Sequence, residues 1–95
     1  MDLSFAGELI YWRGPSPFHF VAVAPDEAEA IHAVSPSVTY GWGCIPVTAS
    51  IGRTTWTTSL FPRDGGYVVP IKQAVRVAQR LELGDVVDVV LRLGT

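Results

Sequence analysis

Ninety-five residues, 48% hydrophobic and 17% charged, suffice for one small core and are too apolar for a disordered chain. A net charge of −2 argues against non-specific nucleic-acid binding, and no apolar run approaches the ~20 residues of a membrane-spanning helix. Cys44 is the single cysteine, which excludes an internal disulfide; with no basic-then-apolar leader at the N-terminus, the expected compartment is the cytoplasm.

Leu3, Phe5, Leu9 and Tyr11 alternate with Asp2, Ser4, Glu8 and Ile10, which predicts a long first strand over 2–12. Gly7 lies inside it and marks a bulge or the bend that a closed barrel needs. Gly14-Pro15-Ser16-Pro17 is a loop by composition, and Phe18, Phe20 and Ala22 alternate with His19, Val21 and Val23 in a second strand antiparallel to the first. Ala24-Pro25-Asp26-Glu27-Ala28-Glu29 has proline early and acids in the first turn, the mark of a helix start. That helix is expected to end before Ser35-Pro36-Ser37.

Residues 38–43 are rich in glycine and aromatics and read as an ordered loop into a third strand, Cys44 to Ile51. Pro46 within that strand implies an edge or a bulge. Gly52-Arg53 suits a two-residue hairpin turn with glycine first, and Thr54 to Phe61 reads as a fourth strand followed by a loop over 62–66. Tyr67-Val68-Val69 is a short strand, with Pro70 opening a helix whose apolar stripe is Ile71, Ala74, Val75, Ala78 and Leu81. Gly84 is expected at positive φ as that helix's cap, and Val87, Val89, Leu91 and Leu93 alternate along a closing strand. Strand, proline, helix and strand thus occur twice. Two such units can close a barrel with approximate twofold symmetry.

Charge is uneven along the chain. Residues 53–81 carry Arg53, Arg63, Lys72, Arg76 and Arg80 against Asp64, while 1–52 carry Arg13 against five acids. A basic face for an anionic ligand is one reading, and ordinary solvated charge is the other. Thr55, Thr57 and Ser59 share one face of the fourth strand. With Arg53, Lys72 and Arg76 they could hold an anionic or sugar-like ligand, although threonine also simply suits an exposed strand face. Trp56 is expected to be buried. Trp42, between Gly41 and Gly43, stands either in a tight turn or on a ligand-facing loop.

Catalysis has weak sequence support. Ser59 and Cys44 are nucleophile types, but His19 and His32 fall in no recognisable motif with them. Two lone histidines and one cysteine lack metal-ligand spacing, and Gly65-Gly66 leads into a strand rather than a phosphate-binding helix. No cofactor or metal is expected.

The Pro70-Ile71-Lys72 to Gly84-Asp85 pattern loosely resembles AbrB-like and MazE-like swapped-hairpin barrels. A closer resemblance rests on Phe5 to Trp12, Gly41-Trp42-Gly43, Ile51-Gly52, Trp56-Thr57-Thr58-Ser59-Leu60-Phe61-Pro62 and Tyr67 to Leu93. These are similar to a small bacterial family catalogued as domain of unknown function 1905. The chain departs from that pattern at Thr57, where a basic residue is usual, and in the proline-rich stretch 13–17. The resemblance implies a double-split, or closely related, six-stranded barrel with helical caps, and no reaction. Some relatives join this domain to a module linked to bacteriocin protection, which a chain ending at Thr95 is expected to lack.

The sequence therefore predicts a single mainly β domain over 1–95, a closed or pseudo-closed barrel of about six strands with two short helices. Its expected role is a non-enzymatic binding or interaction module, with Trp42, Arg53, Thr57, Ser59, Lys72 and Arg76 as candidate ligand contacts. A small anionic ligand is the expected partner, a protein partner stays open, and no membrane is involved. The alternative is a nucleic-acid-binding or antitoxin-like regulatory barrel.

Overall fold

The computed structural model describes residues 1–14, 18–38 and 43–94, with only the backbone described at 37 and 38. The elements are β1 (Asp2–Trp12), β2 (Phe18–Ala22), α1 (Pro25–Val38), β3 (Ile45–Ile51), β4 (Thr54–Arg63), β5 (Gly66–Pro70), α2 (Gln73–Gln79) and β6 (Val86–Leu93). The strands close into a barrel in the order β1-β2-β5-β4-β3-β6, every neighbour antiparallel. The expected mainly β barrel with two helices is what forms.

The order ββαβ occurs twice, and β2 and β5 meet at the centre of the repeat. Phe20 pairs with Pro70, Val21 with Val69 and Ala22 with Val68. Beyond either end, Val23 N–H donates to the Tyr67 carbonyl and Ile71 N–H to the His19 carbonyl, both at 2.9 Å. The first strand of each unit serves two neighbours. β1 pairs with β6 over Asp2–Glu8 and with β2 over Leu9–Trp12, while β4 pairs with β3 over Thr54–Leu60 and with β5 over Phe61–Arg63. Gly7 sits where β1 changes sides. A Cβ there would lie 2.5 Å from Val21 Cγ1 and 3.0 Å from the Ala22 carbonyl oxygen, so the strand turns over β2 at a distance that glycine permits.

The barrel interior is filled by the inward residues of all six strands, among them Leu9, Val21, Ile45, Leu60, Val69 and Leu91, all at 0–1% exposure. Each such side chain contributes about 1.5–3 kcal/mol of transfer free energy. β6 alternates without a fault, with Val87, Val89, Leu91 and Leu93 inward. Trp56 is buried as expected, and among the described residues its indole Nε1 has no hydrogen-bond partner. α1 adds Ala28 and Ile31 to the core, and α2 adds Val75.

Several boundaries differ from expectation, each for a local reason. α1 continues through Pro36 to Val38. Proline cannot donate to the His32 carbonyl four residues back, and Ser35 Oγ donates to it instead at 2.9 Å. β4 runs on to Arg63, so the expected loop over 62–66 shrinks to Asp64-Gly65, both at positive φ (50° and 80°) in a two-residue turn. Pro70 does not open α2. It ends β5, and Lys72 is the N-cap. The seven-residue helix buries Val75 but leaves Ala74 and Ala78 exposed, so the expected stripe narrows to Ile71, Val75 and a half-buried Leu81.

Gly84 does have positive φ (89°), but Arg80 (φ 54°, ψ 45°) caps the helix. Gly84 belongs to the 82–85 turn, whose backbone bonds Gly84 N–H to the Leu9 carbonyl and Leu9 N–H to the Asp85 carbonyl fix it to β1. Pro46 lies on no edge strand, because β3 sits between β4 and β6; the β6 pairing stops at Val47, which spares the missing donor. Cys44 precedes β3 as an isolated bridge. The Gly52-Arg53 turn forms as expected, with Gly52 at φ 58°.

Candidate functional site

The outward residues of the barrel form two walls of opposite character. On the half built from β1 (2–8), β6, β3 and β4 (54–60), cross-strand pairing sets out rows of small polar groups. Asp2 pairs with Arg92, Arg92 with Thr48 and Thr48 with Thr57; next to this row run Ser4, Val90, Ser50 and Thr55. Arg92 Nε reaches Asp2 Oδ1 at 3.2 Å, and the Ser50 and Thr55 hydroxyls meet at 2.9 Å. This is an exterior surface on which neighbouring polar side chains pair in part with one another.

On the other half, built from β1 (9–12), β2, β5 and β4 (61–63), the outward pairs are Ile10 with Phe20, Trp12 with Phe18, Phe20 with Pro70 and Phe61 with Val68. Phe20 and Val68 are 5% and 4% exposed although they point away from the barrel core. Trp12 (38%) and Phe61 (43%), on the same wall, are open to solvent. The Phe18 and Phe20 rings are 5.5 Å apart. Strands with apolar side chains on both faces need cover on both faces, and here the outer cover is partial.

Arg63 crosses this wall. Its guanidinium carbon lies 4.1 Å from the Trp12 ring centroid and 4.9 Å from that of Phe20. Trp12 and Arg63 hold corresponding places, each ending the first strand of its ββαβ unit, and they meet over the β2–β5 pair. The nearest acid is Asp64 Oδ2, 3.5 Å from Arg63 Nε, beyond the usual hydrogen-bond range of about 2.7–3.2 Å.

Two cavities flank Arg63. One, of about 650 Å³, lies between α1 and the β4–β5 turn, with Phe20, Ala28, Glu29, His32 and Tyr67 in its lining. The other, of about 720 Å³, is walled by Trp12, Phe18, Phe61, Pro62 and Pro70. Arg63, Asp64 and Val68 border both. At the first cavity the Tyr67 hydroxyl and His32 Nδ1 are 3.4 Å apart. These volumes lie in the range of small-molecule sites.

The residues expected to form a ligand site are placed elsewhere. Thr57 and Ser59 face outward on the polar wall. Arg53 is exposed in the β3–β4 turn, next to Gly52, which abuts Gln79 at the C-terminal end of α2; Gln79 Nε2 also donates to Thr54 Oγ1 at 2.7 Å. Lys72 is exposed at the opposite end of that helix, about 10 Å along its axis. Arg76 is half-buried with Nε 3.4 Å from the Ile71 carbonyl oxygen. Neither cavity is lined by any of these five, and Trp42 lies outside the described residues.

Arg76 acts instead on His19. Burial, and secondly the Arg76 charge, hold the His19 imidazole below its ordinary value of 6.5. The Tyr11 ring packs against it at 4.8 Å. Among the described residues no cluster of three or more His, Cys, Asp or Glu could hold a metal ion, and no helix is long and apolar enough to cross a membrane.

Residues 5–91 match the model of a protein family described as a domain of unknown function, DUF1905. The chain belongs to the DUF1905 family. The match covers both ββαβ units from Phe5 to Leu91, so the aromatic wall and the polar wall alike fall within the family domain. No curated protein matches the chain.

Sequence reasoning missed the wall formed by Ile10, Trp12, Phe18, Phe20, Phe61 and Arg63. A signal was present. Leu9-Ile10-Tyr11-Trp12, Phe20-Val21, Leu60-Phe61 and Tyr67-Val68-Val69 break the apolar–polar alternation that holds in the first half of β1. Unbroken apolar runs in strands mean cover on two faces.

Proposed function

We propose that this domain is a non-catalytic binding module that receives a small ligand on its aromatic outer wall. The observation that carries this reading is the pair of cavities that share Arg63 and Val68, the first lined also by buried Phe20 and the second by exposed Trp12 and Phe61. An apolar concave surface with few polar groups is the usual form of a small-molecule site. His32, the imidazole at the first cavity, faces the Tyr67 phenol, so the described contacts there offer no serine or thiol nucleophile paired with a base. Among the described residues Arg63 is the one Lys or Arg that lines either cavity, and nucleic-acid recognition would call for a basic patch.

Amide chemical-shift mapping with a library of small apolar compounds at millimolar concentration tests this. Perturbation is expected at residues 10–12, 18–20, 61–64 and 66–70. A response confined to 53–59 and 72–76 would move the site to the hydroxyl-rich face and overturn the proposal.

A further inference from the structure

Resting on that reading of the wall, we infer that its ligand is a monocarboxylate with an apolar, preferably aromatic, body. The carboxylate is received by Arg63, and the body by the Trp12–Phe18–Phe61–Pro70 cavity. The guanidinium is the argument. It carries five N–H donors in a planar fork. Its side chain is only 33% exposed, and its guanidinium carbon lies over the Trp12 and Phe20 rings at 4.1 and 4.9 Å. Among the described residues no short hydrogen bond to any of the five donors is seen, and the one ion pair is the 3.5 Å approach of Asp64, whose side chain is 90% exposed.

Contacts with two rings hold the guanidinium carbon in place, and neither ring supplies a hydrogen-bond acceptor for the N–H fork. A planar group with two oxygens matches that fork bidentately. A dianionic phosphate fits less well, because among the described residues Arg63 is the one Lys or Arg lining either cavity, where Asp64 lines both and Glu29 the first. The second cavity, apolar apart from Arg63 and Asp64, then takes the uncharged part of the ligand.

The test compares 2-naphthoate with 2-naphthamide, which share a body and differ in charge, by titration calorimetry on the wild-type chain and on Arg63→Gln. The acid is expected to bind wild type at least about tenfold more tightly than the amide, as a charge-assisted bidentate pair would give. That ratio is expected to fall to near one in Arg63→Gln. If the variant does not fold, the salt dependence on wild type decides: affinity for the acid should fall between 0.05 and 0.5 M salt, on the order of the screening change expected, while the amide's stays level. Equal affinities for acid and amide, with shifts still on the wall, would overturn the carboxylate and leave the binding module standing. No binding of either compound at the wall, or a doubled molecular mass showing a second copy of the chain seated there, would remove both.

Discussion

The two walls share strands, and the change of character happens within a strand. Outward on β1 the chain presents Asp2, Ser4, Ala6 and Glu8 where it pairs with β6, then Ile10 and Trp12 where it pairs with β2. Outward on β4 it presents Thr55, Thr57 and Ser59 beside β3, then Phe61 and Arg63 beside β5. The interior is continuous across both halves, so stability alone does not call for the difference. Water wets one wall. On the other, Phe20 and Val68 are buried, while Trp12 and Phe61 on the same wall are about two-fifths open. Exposed aromatic surface beside a guanidinium with no short hydrogen bond among the described residues is the feature on which the proposed recognition face rests.

Mutations can sharpen or break this contrast. The interior sets the scale: Trp56→Ala is expected to cost about 3–5 kcal/mol by opening a cavity, read from the urea midpoint. A midpoint that barely moves would remove Trp56 from the core common to both halves. Next comes Phe20→Ala, expected to cost about 3 kcal/mol because this outward residue is packed as tightly as a core residue. The matching change on the polar wall, Thr57→Ala, should stay within about 0.5 kcal/mol. Equal costs for the two would mean that the walls do not differ in packing.

Trp12→Ala should cost about 1 kcal/mol, of which the stacked Arg63 accounts for about 0.5–1 kcal/mol. Arg63→Ala in the Trp12→Ala background should then add less than it does alone. A double-mutant cycle with no coupling energy would separate the pair.

The smallest expected effect is at His19, on the inward side of the aromatic half. Its folded imidazole resists the proton, whereas the unfolded chain titrates near the ordinary 6.5. The stability due to this group is therefore whole above about pH 6.5 and is lost as pH falls toward the depressed folded value. His19→Gln should flatten that part of the curve of unfolding free energy against pH. A slope unchanged in the variant would assign the pH dependence to other groups.

Much of the barrel was legible in the chain. β6 could be read almost residue by residue, because its alternation matches a sheet wet on one side. The Gly52-Arg53 turn and the length of β1 followed from equally local signals. Three of the differing boundaries fall at prolines. Pro36 stays helical because Ser35 supplies the hydrogen bond it lacks, and Pro62 and Pro70 stay in strands whose other neighbour has already ended.

The candidate site was less legible. Hydroxyls and cations in one sequence segment suggested a shared ligand, but strand register and helix length set Thr57, Arg53 and Lys72 on different surfaces. Trp12 and Arg63, 51 positions apart in the sequence, meet because each ends a strand that has changed sides. That meeting depends on topology, which no local pattern carries.

The central claim is that the aromatic wall, and not the interior or the hydroxyl face, is where a ligand arrives. Fluorine NMR of the chain labelled with 5-fluorotryptophan tests it directly, with resonances assigned through Trp12→Phe and Trp56→Phe. On titration with 2-naphthoate the Trp12 signal should shift progressively to saturation while that of buried Trp56 stays in place. A Trp12 signal that remains still at millimolar ligand, or one that moves only together with Trp56 as the fold loosens, would contradict the account.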